Sequence, residues 1–213
     1  MSVSHYSKAE ELLHALSHGM GALLSITALL VMLAVSLQLQ DGWYVASSII
    51  YGSSLILLYS SSTLYHAVSD VLLKRRLRQL DHAAIFILIA GTYTPFTLIN
   101  LRESWGLALF AVIWLIALAG VIIELATGLK YKKLSLSLYL GMGWLVIVAI
   151  EPMLRHVDTP GLLLLLAGGL CYSFGVIFYV WKRLYLHHLI WHLFVLAGSV
   201  LHFFAVYYFA LTR

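Results

Sequence analysis

Along this chain, apolar stretches about as long as a bilayer is thick alternate with short polar breaks. The stretches cover residues 19–37, 43–66, 82–101, 105–127, 134–150, 161–181 and 188–211. The breaks fall at 38–42, 74–78, 102–104, 130–133, 155–160 and 182–183. A helix needs about 20 predominantly apolar residues to cross the hydrocarbon core. The pattern therefore predicts an all-α, polytopic membrane protein of seven transmembrane helices. Its short loops make successive helices antiparallel neighbours. No stretch is left for a separate soluble unit, so residues 1–213 are expected to form a single transmembrane domain. Gly52, Ser53, Ser54, Gly168 and Gly169 are small enough to let such helices approach closely. No internal repeat is evident, and an odd number of spans argues against a simple inverted-repeat transporter.

Composition strengthens this picture. The chain is 62% hydrophobic and 10% charged, against about 45–50% and about 25% in soluble domains. Tyr and Trp near the span ends, among them Trp43, Tyr44, Trp105 and Trp181, fit an interfacial belt. The lone Cys171 excludes an intrachain disulfide. Before the first apolar run stand one basic residue, Lys8, and the acids Glu10 and Glu11. A cleavable signal begins with a basic segment, so the first span is expected to be retained.

The formal charge of +4 does not point to nucleic acid, because the cations sit in loops rather than on a face interleaved with aromatics. It does point to an orientation. Lys8, Lys74, Arg75, Arg76, Arg78, Lys130, Lys132, Lys133, Lys182 and Arg183 fall on one side, with only Arg102, Arg155 and Arg213 on the other. The positive-inside rule then gives a cytoplasmic N-terminus and an outside C-terminus, the reverse of rhodopsin-like receptors.

That orientation puts four distant residues at one depth near the inner face: His66 and Asp81, flanking one basic break, and His188 and His192, following another. His188 and His192 are four apart and share a helix face, as do Ser62 and His66. Neutral imidazoles suit a transition metal, zinc above all, and three of them leave a fourth position for water or substrate. Asp81 can orient that water, accept its proton or bind the metal directly. Ser62 can donate to a developing oxyanion. The plainer alternative is that these histidines bond neighbouring helices and that Asp81 is solvated at the interface. Convergence at one depth weighs against it, since ionisable groups cost about 2.5–3.5 kcal/mol at a helix centre and tend to mark function.

Other polar residues fit plainer roles. His14 and His18, beside Glu10 and Glu11, read as an amphipathic interfacial turn in preference to a second metal or gating site, and Glu124 as an interfacial carboxylate in preference to a group supporting the site from behind. His82 and His187 point about 100° away from their neighbours Asp81 and His188. His202 lies about 21 Å beyond His188 at about 1.5 Å per residue, too far to join the same site. Pro95 in the run Gly91-Thr92-Tyr93-Thr94-Pro95 should kink the third span.

Taken together, Ser62-Thr63-Leu64-Tyr65-His66, Leu80-Asp81-His82, Gly91-Thr92-Tyr93-Thr94-Pro95 and His188-Leu189-Ile190-Trp191-His192 resemble the bacterial hemolysin III family. This family belongs with the progestin and adipoQ receptors, which include the adiponectin receptors. The run from Glu10 to Gly19 resembles the same family's opening signature, except that His14 stands where asparagine is expected.

The resemblance implies a seven-helix bundle in the bacterial inner membrane with an intramembrane zinc. His66, His188 and His192 would hold the metal, Asp81 the water on it, and Ser62 would match the family's serine. Kinship with alkaline ceramidases implies zinc-dependent hydrolysis of a lipid amide or ester, with a membrane lipid or fatty-acyl ligand as partner. The alternative is a non-catalytic lipid or fluidity sensor with structural zinc. An ion pathway is less expected, given few acidic residues within the spans. A secreted cytolytic pore former would need a soluble state that this composition does not allow.

Overall fold

The computed structural model describes residues 6–212; Arg213 and the first residues of the leader reading lie outside the described residues. Among the described residues there are helices and no strands, and seven helical segments are long and apolar enough to cross a membrane. In chain order the helices are α1 (Lys8–Ser36), α2 (Gly42–Ala67), α3 (Val71–Pro95), α4 (Gly106–Thr127), α5 (Lys132–Gly143), α6 (Ile150–His156), α7 (Thr159–Val180) and α8 (His187–Val206). α5 and α6 together make the fifth span. Sequential helices pack on one another most extensively in the pairs α1–α2, α2–α3, α3–α4 and α7–α8. α1 also meets α8, which brings the two ends of the chain together.

Two helices begin earlier than the apolar runs suggest. α1 starts at Lys8 because Ser7 and Glu10 form a reciprocal capping box, which satisfies backbone donors that the first turn leaves free. α3 starts at Val71, where the Asp70 carboxylate accepts from the Leu73 amide at 2.8 Å. The basic cluster Lys74–Arg78, expected to lie in a loop, is therefore helical. Lys74 turns back under α2 and donates to the carbonyls of Tyr65 (2.9 Å) and Val68 (3.2 Å).

Glycine sets two of the contacts that bring the site helices together. A Cβ on Gly91 would collide with Ser54 on α2, so α2 and α3 meet there without a side chain between them. Gly198 lets α8 approach α7, where an added Cβ would come within 2.9 Å of the Tyr172 ring.

The Gly91–Pro95 run has structural work at each position, Thr92 Oγ1 donating to Leu88 O at 2.8 Å. Tyr93 Oη donates to Met142 O at 2.8 Å and accepts from Val146 N at 2.8 Å. It thereby serves backbone groups freed where the fifth span breaks between α5 and the tighter turn Leu145–Ala149. Thr94 Oγ1 accepts from the Trp114 indole at 3.1 Å. At Pro95 the α-helix ends and gives way to a wider π-type turn, Phe96–Asn100, so the expected kink takes the form of a change in helix type.

Candidate metal centre

Four helices converge at the end of the bundle that carries α1's first turns. α2 brings Ser62 and His66 in its last turns, α3 brings Asp81, α8 opens with His188 and His192, and α1 lies across them. His66 Nε2 and His188 Nε2 are 3.3 Å apart, and His188 Nε2 and His192 Nε2 are 3.2 Å apart. Ligand atoms about 2.0–2.1 Å from a tetrahedral zinc stand about 3.3–3.4 Å from one another, so both separations fit one shared ion.

The outer nitrogens fit it as well. His66 Nδ1 lies 2.7 Å from Glu11 Oε2, and a carboxylate only accepts, so Nδ1 carries the proton and Nε2 presents its lone pair. His192 Nδ1 lies 3.0 Å from Ser17 Oγ. Metal-binding histidines are typically oriented in this way by an acceptor behind the ring.

Glu11 Oε1 also pairs with Lys74 at 3.1 Å, tying α1 to α3. The donor set of neutral imidazoles, with a carboxylate nearby, suits zinc better than a hard cation.

Asp81 and Ser62 face the same region from the other side. They line an apolar cavity of about 160 Å³ together with His188 and His192. Leu58, Ile85, Leu88 and Val195 make its walls greasy, and His202 lies along its lining. His202 instead bonds Leu165 O at 3.0 Å.

A second, wider space of about 450 Å³ shares Asp81, His82 and His188 with the first and is lined by Arg78, Lys132, Lys133 and Lys182. Partial burial, with Lys132 and Arg78 close by, holds the Lys182 ammonium below its ordinary pKa. A cationic vestibule thus opens onto an apolar chamber.

Several sequence expectations need correction here. His14 and His18 are buried, at 0% and 4% exposure, rather than lying on an interfacial turn. One ligand atom from each of His14, His66 and His188 lies within 4.8 Å of the other two. Glu124 is buried too, with Tyr139 Oη 3.4 Å from its Oε1. His82 lines the cavity beside Asp81, whereas His187 turns away and donates to Phe178 O at 3.2 Å.

Sequence reasoning missed Glu11 and Ser17 altogether as partners of the cluster. The signal was present: Ser7-Lys8-Ala9-Glu10 is a capping-box pattern. A helix begun there puts Glu11, His14 and His18 on one face.

Comparison with known proteins places this geometry in context. A family model described as Haemolysin-III related matches residues 6–203. The chain is 44% identical over 202 residues to Hemolysin-3 of Bacillus cereus, covering 95% of this chain and 92% of that protein. It is 42% identical over 200 residues to the Hemolysin-3 homolog of Bacillus subtilis (strain 168), covering 94% of each. The human Monocyte to macrophage differentiation factor is 35% identical over 177 residues, covering 78% of this chain and 71% of that protein.

Proposed function

Because the chain belongs to the haemolysin III-related family, we propose that it is a membrane metalloprotein that hydrolyses an amide or ester bond of a membrane lipid, with zinc held by His66, His188 and His192. One observation carries this reading. His188 Nε2 lies 3.3 Å from His66 Nε2 and 3.2 Å from His192 Nε2, and their helices also bring Asp81 and Ser62 to one apolar cavity. Zinc at that point supplies a Lewis acid for a carbonyl oxygen and a water that ionises near pH 7.

The chain's own residues do the rest. Leu58, Ile85, Leu88 and Val195 hold the acyl chain and exclude bulk water. Asp81 accepts the proton of the water as its oxygen bonds to the carbonyl carbon. It then delivers that proton to the departing amine or alkoxide as the C–N or C–O bond breaks. Ser62 donates to the oxyanion. Glu11 and Ser17 keep two imidazoles aimed inward. The cations of the vestibule hold the lipid's polar head.

From the positive-inside rule we infer that this end of the bundle faces the cytoplasm, with the N-terminus inside and the C-terminus outside, and we propose the bacterial inner membrane as its location.

A second reading has its own observation. The imidazoles, Glu11 and Lys74 tie α1, α2, α3 and α8 at one point, which is what a metal clamp in a non-catalytic lipid sensor requires.

Asp81→Asn separates the two. In a hydrolase, zinc-loaded Asp81→Asn retains its metal and loses turnover by about 100- to 10,000-fold. In a sensor it behaves as wild type. The measurement is product release from defined ceramides and phospholipids by purified protein, beside its zinc content. A wild-type protein without zinc sinks both readings; zinc without turnover on any lipid leaves the sensor.

A further inference from the structure

His14 is unaccounted for by a three-histidine centre. Its side chain is fully buried, and neither ring nitrogen has a hydrogen-bond partner. An imidazole withdrawn from water with both nitrogens idle is costly and calls for an explanation. Its surroundings supply one. The His14 ring centre lies 4.8 Å from that of His66, 4.9 Å from His188 and 5.3 Å from His192. The other three separations are 5.2 Å (His66–His188), 5.1 Å (His66–His192) and 4.6 Å (His188–His192).

Four ring centres with six similar separations stand at the corners of a nearly regular tetrahedron. Around a single zinc, with the ring centre about 1.1 Å beyond a ligating nitrogen about 2.0–2.1 Å from the metal, each edge is expected near ~5.2 Å. α1 is built to place this ring. Glu11 supports His66 from one side of it and Ser17 supports His192 from the other. His18, further along the same helix face, lies flat against His192, with ring centres 3.5 Å apart and planes at 16°. That stacking places it beside the tetrahedron rather than at a corner.

We propose that His14 is a fourth imidazole ligand, completing a closed four-histidine sphere on the metal. The inference rests on the metal reading above and changes its consequence. Four protein ligands characterise closed zinc sites, whereas catalytic ones keep a position open. In this chain water and substrate gain the metal only when α1 withdraws His14. α1 is then the element that opens the centre.

The test uses the full-length protein with zinc replaced by cobalt(II), whose visible spectrum reports ligand number, and azide as a small probe of any open position. The wild-type spectrum is expected to be unmoved by azide. His14→Ala and the more conservative His14→Asn should bind azide with a clear spectral change, and free imidazole should reverse it in His14→Ala. Zinc affinity in both variants should fall by more than the about 10- to 100-fold that an outer-shell change costs.

An azide-responsive wild type overturns the inference whether or not either variant folds. Unchanged zinc affinity in His14→Asn overturns it as well, with the three-histidine centre left standing. A wild-type protein that takes up neither zinc nor cobalt sinks the metal reading itself.

Discussion

Replacing Glu11 removes the carboxylate behind His66 without touching any of the converging nitrogens. Glu11 Oε2 lies 2.7 Å from His66 Nδ1, the His66 side chain is 0% exposed and that of Glu11 is 16% exposed. Solvent ions screen such a contact far less than a surface pair. Outer-shell partners of metal-binding histidines are typically worth about 10- to 100-fold in metal affinity, or about 1.4–2.8 kcal/mol at about 1.4 kcal/mol per decade. Glu11→Ala should reach the upper end, because His66 loses both its orientation and its acceptor.

Glu11→Gln keeps a neutral acceptor and should fall at the lower end, since charge-assisted bonds are roughly twice as strong as neutral ones. Lys74→Met is the control. It removes the other partner of Glu11, at 3.1 Å, and leaves the His66 contact in place, so its effect should be smaller than that of either Glu11 variant. The assay is competition for zinc against a chelator of known affinity, with the protein in detergent or nanodiscs. Glu11→Ala within twofold of wild type would refute the reasoning. A Lys74→Met loss equal to that of Glu11→Ala would show that the charge network, and not the His66 contact, sets affinity.

Three further outcomes are expected. A reporter fused after Arg213 should be periplasmic and one placed within Lys74–Arg78 cytoplasmic; a cytoplasmic C-terminus would refute the proposed orientation. Zinc should be about one per chain, largely lost in His188→Ala or His192→Ala and kept in His202→Ala, whose ring bonds Leu165 O instead. The metal-free protein should melt earlier, because an ion bound only by the folded state stabilises it by mass action. Equal zinc in wild type and the double His188/His192 variant would exclude the site. Tyr93→Phe should destabilise the fold by about 1–3 kcal/mol, since it strips the acceptor from Val146 N and the donor from Met142 O. An unchanged melting curve would show that the broken fifth span does not depend on that hydroxyl.

The parts of this structure that were legible in the sequence are those where a single local rule operates. Seven spans follow from hydropathy, and the pairs Ser62/His66 and His188/His192 follow from helical periodicity alone. What escaped needed knowledge of where helices begin. Lys74–Arg78 reads as a polar break, yet Asp70 caps a helix that runs straight through it. The interruption of the fifth span at Gly143 lies in an apolar stretch with no proline to mark it, and its freed backbone groups are met by Tyr93, about fifty positions earlier.

The misreading of α1 has a different origin, and it concerns function most directly. In water, a helix with His14 and His18 beside Glu10 and Glu11 turns those residues to the solvent. In a bilayer the solvent is the apolar phase, and ionisable groups face the bundle. The structure shows that inversion along much of α1, although Thr27 is exposed and Met32 is buried. His14, His18, Gly21, Ser25 and Ser36 are buried, whereas Leu12, Leu16, Leu23 and Leu30 stand exposed on the outer side.

Applied at the outset, the same rule would have turned Glu11 and His14 toward His66. The contacts also locate the centre's adjustable part. α1 packs along its chain neighbour α2 and also meets α8 across the two ends of the chain, so it touches both helices that carry the converging histidines. A helix that supports two of the imidazoles from behind and inserts one of its own is well placed to couple lipid packing around its exposed leucines to the state of the centre. This is why Glu11 and His14, and not the converging histidines alone, are the residues to vary first.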